Sequence, residues 1–191
     1  MDILIVVFYS YLLGSIPFGL IITKIFLKQD IRNVGSGNIG TTNVLRTGKK
    51  SLAMATLILD AFKGYSSVII SQIYFNDLIF LSSLICFIGH IFPIWLSFKG
   101  GKGVAVYLGI ITALSLSLGI VFGVTWISIV LIYKYSSLSS MIGALAVLLY
   151  SIILNNYLLS SFLFMILIII LFTHRDNIRR LKNSEESKIK L

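Results

Sequence analysis

Seven long apolar stretches alternate with short polar stretches along the chain. A helix needs about 20 apolar residues to cross a bilayer, with a lower limit near 17, so the pattern predicts membrane-spanning helices. The last four stretches are shorter, and we expect their helices to extend into the polar flanks or the bilayer to thin around them. The predicted spans are residues 3–26, 52–73, 78–96, 104–118, 120–133, 141–154 and 157–172.

The positions of Lys and Arg set the number of spans and their orientation. With seven spans, the loop at residues 28–50, Lys99, Lys134 and the basic tail all lie on one side, as the positive-inside rule requires. Joining the fourth and fifth stretches would move the tail to the other side and give one helix of about 30 residues, or about 45 Å, which is too long. We therefore divide them near Gly119. The predicted fold is an all-α integral membrane protein with seven transmembrane helices, its N-terminus outside and its C-terminus cytoplasmic.

The composition supports insertion into a lipid bilayer. Apolar residues make up 57% and charged residues 12% of the sequence, against about half and about a quarter in soluble proteins. The net charge of +9 does not indicate a nucleic-acid partner, because the basic residues cluster at helix ends and the aromatic residues lie within the apolar stretches. Cys86 is the only cysteine, so no intrachain disulfide is possible. We expect one transmembrane domain over residues 1–191, without metal or cofactor.

Two spans carry residues that break the apolar pattern. Asp60 and Lys63 are three residues apart in the second span and share one helical face. A charge at this depth costs about 3 kcal/mol, so the two should pair, either to fix helix packing or to form a polar floor for a site. Pro17, within GSIPFG, should kink the first helix, and the small residues around it permit close packing.

Three polar stretches at the ends of the spans carry the candidate chemistry. They read GSGNIGTTNVLRTGKK at residues 35–50, FKGGKGVA at 98–105 and HRDNIRR at 174–180. Backbone amides of glycine-rich turns, hydroxyls and fixed cations together bind phosphate, and we interpret the three stretches as one site. A flexible basic turn is the alternative for FKGGKGVA. The G-x-G-x-x-G match at residues 35–40 is not a dinucleotide fingerprint, because no strand precedes it.

Longer motifs around these stretches resemble a known family. GSGNIGTTNVLR, GHIFPIWLSFKGGKGVA and HRDNIRRLKNSEE are similar, in order, to the three motifs of the bacterial acyl-phosphate:glycerol-3-phosphate acyltransferases, and GSIPFG, LDAFKG and YSSLSS match further patterns of that family. Thr41 stands where alanine is usual, and Ser184 replaces a glycine, with Glu186 as the matching acid. We expect the remaining tail, residues 183–191, to be solvated and frayed.

The resemblance implies a reaction, a location and substrates. An acyltransferase domain would move a fatty acyl group from acyl phosphate to the 1-hydroxyl of glycerol 3-phosphate, giving lysophosphatidic acid and phosphate. It would lie in the bacterial cytoplasmic (inner) membrane with its active site facing the cytoplasm. An acyl phosphate is already activated, so no acyl-enzyme is needed, and the sequence has no G-x-S-x-G elbow. We expect a monomer and leave an oligomer open.

The resemblance also assigns residues to the site. Ser36, Arg46 and Lys102 would bind phosphate and stabilise charge, and His174 and Asn177, on one face of the final helix, would orient glycerol 3-phosphate. A substrate phosphate oxygen could accept the hydroxyl proton. The expected binding residues are Gly35, Gly37, Asn38, Thr42, Asn43, His90, Lys99, Gly100, Gly101, Gly103, Ser137 and Ser140.

Each assignment has a structural alternative, and the whole chain has a functional one. His90 could instead cap or pack a helix, and Ser137 and Ser140 could cap the sixth helix. A small transporter or channel for an organic anion would also use several helices, an intramembrane ion pair and cytoplasmic cations. Against it, the outer loops carry no Lys or Arg and the chain shows no paired halves.

Overall fold

A computed structural model describes residues 1–189, and all regular structure in that part of the chain is helical. Three single 3-10 turns, Ile31–Asn33, Asn76–Leu78 and Ile94–Leu96, lie between or beside the α-helices. The α-helices are α1 (Asp2–Ser15), α2 (Phe18–Leu27), α3 (Thr41–Leu45), α4 (Lys50–Tyr74), α5 (Ile79–Ile91), α6 (Val104–Leu114), α7 (Leu116–Tyr133), α8 (Ser136–Ile153), α9 (Tyr157–Thr173) and α10 (Arg175–Lys182).

The helices form two compact units. The first unit, Met1–Leu114, holds α1 to α6, and the second holds the described residues from Ser115 onward. Within the first unit, α4 packs against all five other helices, so it is the central element. Within the second unit, α8 packs between α7 and α9.

Glycines set the closest helix approaches in the first unit. A side chain at Gly109 of α6 would lie 1.8 Å from the carbonyl oxygen of Ala61, and one at Gly64 of α4 would lie 2.4 Å from that of Val106. Both contacts are backbone to backbone, which only residues without a side chain permit. The two glycines therefore let α4 and α6 touch directly.

The first apolar stretch contains two helices, as Pro17 led us to expect. α1 ends at Ser15, Ile16 is extended with φ −66° and ψ 116°, and α2 begins at Phe18. Proline has no backbone N–H and clashes with the preceding turn, which explains the break. Gly14 lies against the Cys86 carbonyl and Gly19 against the Ile39 carbonyl, so both sides of the break pack closely.

The apolar helices confirm an all-helical, multi-pass membrane protein. Five helical segments in the described residues have the length and hydropathy to cross a bilayer, and a sixth does if α9 is taken with α10, which is bent from it by 62°. α6, with 11 residues, is shorter. The five are Asp2–Leu27, Lys50–Tyr74, Asn76–Leu96, Leu116–Tyr133 and Ser136–Ile153. Seven spans and their orientation stay a prediction.

The division that we placed near Gly119 is wrong by four residues. The helices separate at Ser115, whose backbone is extended (φ −163°, ψ 130°), whereas Gly119 is buried inside α7. The Ser115 carbonyl accepts hydrogen bonds from the amides of Leu118 and Gly119 and so opens α7. Serine is preferred at such a start, whereas glycine is tolerated in a packed helix interior.

Replacing Gly109 with alanine should destabilise the first unit. The added methyl group would overlap the Ala61 carbonyl, and overpacking of this kind costs about 1–3 kcal/mol. Gly123→Ala in α7 is the matched control, because nothing lies within 4 Å of the added methyl group. The apparent midpoint of thermal unfolding in detergent should fall only for Gly109→Ala. Equal midpoints for the two variants would contradict the close α4–α6 contact.

Candidate active site

The first glycine-rich loop is organised around the buried amide of Asn43. Its Nδ2 lies 3.0, 2.9 and 2.8 Å from the carbonyl oxygens of Ile31, Val34 and Asn38, and its Oδ1 accepts from the Ser36 amide at 3.0 Å. Apart from a longer bond that Oδ1 accepts from Arg46 Nη1, its side-chain bonds are thus to the backbone of its own loop. Asn43, which we had expected to contact substrate, shapes the loop.

An apolar cluster anchors this loop to the first unit. The buried residues of the cluster are Leu20, Ile31, Ile39, Val44 and Ala53. Leu96, which precedes FKGGKG, also packs against it. The first and second motifs therefore share one apolar support, as expected if they serve the same site.

Gly35 brings Ser36 and Arg46 together. It has a φ of +55°, and a side chain there would lie 2.5 Å from Asn43 Oδ1 and 2.9 Å from Arg46 Cδ. Without a side chain, Gly35 leaves that space to Arg46, whose Nη1 is 3.4 Å from Asn43 Oδ1. Ser36 and Arg46 are both exposed. The loop thus presents a hydroxyl and a guanidinium side by side.

An ion pair between Asp30 and Arg32 lies just before this loop. Asp30 accepts from Arg32 Nη2 at 2.6 Å and from its Nε at 3.0 Å. The hydrogen bonds from the Arg32 side chain lower the pKa of Asp30 to about 2. The charge of Arg32 is therefore balanced locally, and Arg46 is the loop's cation beside Ser36.

The departure at Thr41 leaves a polar atom without a partner. Within residues 1–189, its buried hydroxyl oxygen makes no hydrogen bond. Thr41 is the first residue of α3. The alanine usual in the family motif would avoid this cost.

The second glycine-rich loop folds back onto the end of α5. The amides of Gly100 and Gly101 donate to the carbonyls of Ile91 and His90 at 2.9 and 3.0 Å. A side chain at Gly100 would lie 2.1 Å from the His90 carbonyl oxygen, and one at Gly101 would lie 2.1 Å from His90 Nε2. Gly103 has a φ of +82° and packs on the Phe87 ring. The glycines thus allow close packing.

This packing corrects the expected role of two backbone amides. We had expected the amides of Gly100 and Gly101 to approach an anion, but both are engaged inside the protein. Lys99 is exposed and Lys102 half-buried on the same loop. Lys99 and Lys102 are therefore the groups of this loop on which the predicted anion binding depends.

In the second unit, Glu186 gathers two of the predicted site residues. Its Oε1 accepts from Ser137 Oγ at 2.7 Å and from Asn177 Nδ2 at 2.6 Å, and its Oε2 accepts from Arg180 Nε at 2.7 Å. Burial of the carboxyl opposes ionisation, but these three hydrogen bonds outweigh burial and lower the pKa of Glu186. The sequence did not reveal these contacts. Its only signals for Glu186 were the match to a family motif and the presence of an acid in a basic tail.

The tail is solvated as we predicted, with residues 183–185, 187 and 188 exposed, but it is not frayed. The Glu186 side chain is only 6% exposed, and the Ile189 amide donates to the Lys134 carbonyl at 2.8 Å. The tail returns to the start of α8 because its acid meets a donor there and two on α10. Lys190 and Leu191, also part of the predicted tail, lie outside the described residues.

We expected His174 and Asn177 to lie on one face of the same helix, but His174 precedes the helix that holds Asn177. It lies at the junction of α9 and α10, which are bent by 62°, and both residues are buried. His174 Nδ1 is 2.8 Å from the Ile170 carbonyl and donates to it. This bond fixes the orientation of the ring.

Ser140 has mainly structural contacts. Its hydroxyl donates to the Ser136 carbonyl at 2.8 Å and accepts from Trp126 Nε1 at 3.1 Å. It is buried in α8. These contacts give Ser140 a packing role inside α8 and not the helix-cap role that we considered, whereas Ser137 belongs to the Glu186 cluster.

Apolar helices that carry glycine-rich cationic loops define an integral membrane protein suited to anionic substrates. The sequence matches the family model for glycerol-3-phosphate acyltransferase over residues 4–184, which extends through both units. The chain belongs to this family.

Curated relatives and solved structures agree with that assignment. A glycerol-3-phosphate acyltransferase of Pelagibacter ubique (strain HTCC1062) is 55% identical over 192 residues, covering 100% of each chain. One of Brucella canis (strain ATCC 23365 / NCTC 10854 / RM-666) is 47% identical over 181 residues, covering 95% of this chain and 90% of the relative. The crystal structure of PlsY (YgiH), an integral membrane glycerol 3-phosphate acyltransferase, in its glycerol 3-phosphate form has a TM-score of 0.92 at 34% identity, covering 100% of this chain and 96% of PlsY. Its lysophosphatidic acid form gives 0.90 at 33% identity, with the same coverage.

Glu186→Gln should loosen the tail. Glutamine keeps the size but removes the charge that receives three hydrogen bonds. A hydrogen bond to a charged group is worth about 1.5 kcal/mol or more, so amide protection at residues 184–189 should fall about tenfold. Hydrogen exchange measures this directly. Glu185→Gln is the control, because Glu185 is exposed, and an equal loss of protection there would contradict the Glu186 cluster.

The same cluster should make the tail sensitive to acid. The pKa of Glu186 is lowered from its ordinary 4.5, so the contribution of the ionised form is complete above about pH 4.5 and is lost as pH falls through the lower folded value. The ratio of tail exchange rates in wild type and Glu186→Gln, taken at each pH, should approach one in acid. A ratio that stays constant with pH would contradict this assignment.

Proposed function

We propose that the chain transfers a fatty acyl group from acyl phosphate to the 1-hydroxyl of glycerol 3-phosphate, giving lysophosphatidic acid and phosphate. The observation that carries this proposal is the first loop, where buried Asn43 and side-chain-free Gly35 set Ser36 beside Arg46. A hydroxyl and a guanidinium so placed suit a phosphate group. Family membership favours an enzyme over the anion transporter that we considered from the sequence.

The proposed reaction is a direct displacement. The substrate hydroxyl oxygen attacks the acyl carbonyl carbon, the bond from that carbon to the phosphate oxygen breaks, and phosphate leaves with the electron pair. The hydroxyl proton passes to a phosphate oxygen of the substrates. No protein nucleophile takes part, which agrees with the position of Cys86, buried within α5.

Cations stabilise the charge that develops on the leaving phosphate. We assign this role to Arg46 and Lys102, with Ser36 as a hydroxyl partner, because donors fixed in advance act strongly where water is excluded. Both cations lie on loops held by buried contacts, one at Asn43 and one at His90. Lys99, Asn38 and Thr42 complete the proposed phosphate contacts.

In the second unit, we assign His174 and Asn177 to the orientation of glycerol 3-phosphate. His174 Nδ1 is bonded to the Ile170 carbonyl, so a contact with substrate would be made through Nε2. Asn177 Nδ2 is bonded to Glu186, which orients the side-chain amide. Ser137 supports the same carboxylate.

We further propose seven spans in the bacterial cytoplasmic membrane, with the N-terminus outside and the three motifs at the cytoplasmic face. The chain would act as one domain and as a monomer, with an oligomer left open. The support is the distribution of Lys and Arg: all except Lys63, which is buried in the second span, lie at or near the ends of spans that this topology places inside. In this topology α6 is a short span, and the bilayer adapts to it.

Cysteine labelling tests this topology. We expect Asp77→Cys to react with an impermeant thiol reagent from outside the cell and Ser184→Cys to react only after the membrane is opened. The native Cys86 is buried and gives little background, and Cys86→Ala removes it. Labelling of both introduced cysteines from the same side would overturn the seven-span arrangement.

Loss of either cation should lower turnover strongly. Arg46→Ala and Lys102→Ala should each reduce kcat about a hundredfold with acyl phosphate and glycerol 3-phosphate, because one such donor is worth about 3 kcal/mol. Lys102→Arg should restore only part of the activity, since a planar fork does not replace a compact ammonium. Lys49→Ala, an exposed cation of the first loop, is the control. Equal losses at Lys49 and Lys102 would show only a general charge effect.

The absence of an acyl-enzyme can be tested on the unaltered protein. Incubation with labelled acyl phosphate alone, followed by a denaturing quench, should leave no label on the chain. Cys86→Ala should turn over at a near-normal rate. A stoichiometric label that resists denaturation would disprove direct transfer and identify a nucleophile.

A further inference from the structure

Three buried polar side chains of the first unit form a chain that the reaction above does not use. Asp60 and Lys63 lie on α4 and His90 on α5, and their side chains are 2%, 2% and 4% exposed. Lys63 Nζ lies 2.8 Å from Asp60 Oδ1, 2.6 Å from the Ile16 carbonyl oxygen and 3.0 Å from His90 Nδ1. The ammonium forms an ion pair with Asp60 and hydrogen bonds with the Ile16 carbonyl oxygen and His90 Nδ1.

The bond from Lys63 fixes the proton of the His90 ring. A lysine ammonium only donates, so Nδ1 must accept, and the ring proton lies on Nε2. Nε2 is the atom that a side chain at Gly101 would approach to 2.1 Å. The protonated edge of the ring therefore faces the second glycine-rich loop.

His90 holds this loop at two points. Its backbone carbonyl accepts from the Gly101 amide at 3.0 Å, and its ring fills the space beside Gly101 that any other residue would occupy. Lys102 is the next residue. A change in the orientation of the His90 ring would therefore shift Gly101 and, with it, the adjoining Lys102.

Lys63 also reaches the break in the first span. The Ile16 carbonyl, in the extended backbone before Pro17, accepts from Lys63 Nζ. Phe18, the first residue of α2, places its ring 5.6 Å from the same ammonium. The Lys63 ammonium on α4 thus contacts both the break between α1 and α2 and His90, which packs against the second glycine-rich loop.

Stability alone does not account for these charges. A buried ion pair can often be replaced by apolar residues of similar volume without loss of stability, so its presence indicates another role. Here each member has a neighbour to orient: Asp60 orients Lys63, Lys63 orients His90, and His90 orients the loop.

We propose that Asp60, Lys63 and His90 are positioning residues that hold residues 99–103 so that Lys102 faces the substrate phosphate. That this loop binds substrate rests on the proposed function. The contacts that hold the loop in position do not depend on that function. None of the three needs to touch substrate.

His90→Asn separates orientation from folding. An asparagine oxygen can accept from Lys63 in place of Nδ1, so the ammonium keeps its third partner, but the ring edge at Gly101 is lost. The folded yield should stay near that of wild type. Amide exchange at residues 99–103 should become about tenfold faster without substrate, and it should also become faster in the charge-neutral pair Asp60→Asn/Lys63→Met.

Ser82→Ala is the matched control for loss of a buried polar group. Ser82 lies on α5, like His90, and its hydroxyl bonds Ser10 and Ser67, away from the loop. This variant should leave exchange at residues 99–103 unchanged, whatever it does to the midpoint of thermal unfolding. Equal exchange in wild type and His90→Asn would overturn the proposal.

A double-mutant cycle tests the connection to Lys102. Lys102→Ala should cost about a hundredfold in kcat in the wild-type background but only about tenfold with His90→Asn, because the lysine is already misplaced there. Costs that multiply independently would overturn the proposal. If Lys102→Ala has no effect in wild type while loop exchange still depends on His90, the assignment of Lys102 fails and the positioning of the loop stands.

Discussion

Polar groups inside this protein must find partners within the chain, because hydrocarbon offers none. At three places where the backbone leaves a helix, the structure provides a specific acceptor or donor. The Ile16 carbonyl at the break meets Lys63, the first loop closes on Asn43, and the second loop donates to the end of α5. These bonds satisfy the backbone groups of the loops, and so allow polar side chains to gather at these positions.

The two glycine-rich loops satisfy their backbone hydrogen-bonding groups by different means. In the first loop a side-chain amide replaces missing backbone partners, and a left-handed Gly35 makes room for Arg46. In the second loop the backbone bonds to α5, and Gly100 and Gly101 make room for His90 and Pro93. Glycine serves close packing in both. Each loop carries cationic side chains on a support fixed by buried contacts.

Local signals in the sequence were enough for the helices and the broken first span, because apolar length and Pro17 act through neighbouring residues. The division at Ser115 was missed because LSLSLG offers several similar breaking points. The roles of Asn43 and Gly101 were misjudged for another reason: residue type does not reveal whether a polar group faces a ligand or the protein's own backbone. Contacts between distant positions, such as Ser137 with Glu186 or Lys63 with His90, left no local pattern to find.

The place of Glu186 in the chain has a consequence for biosynthesis. Its carboxylate is the common acceptor for Ser137 on α8 and for Asn177 and Arg180 on α10, yet it is translated after both helices. Ser137 precedes its acceptor by 49 residues, so it has no such partner while α9 and α10 are being made. Completion of the second unit therefore waits for translation to pass residue 186, and a nascent chain that stalls earlier would be inserted but unfinished.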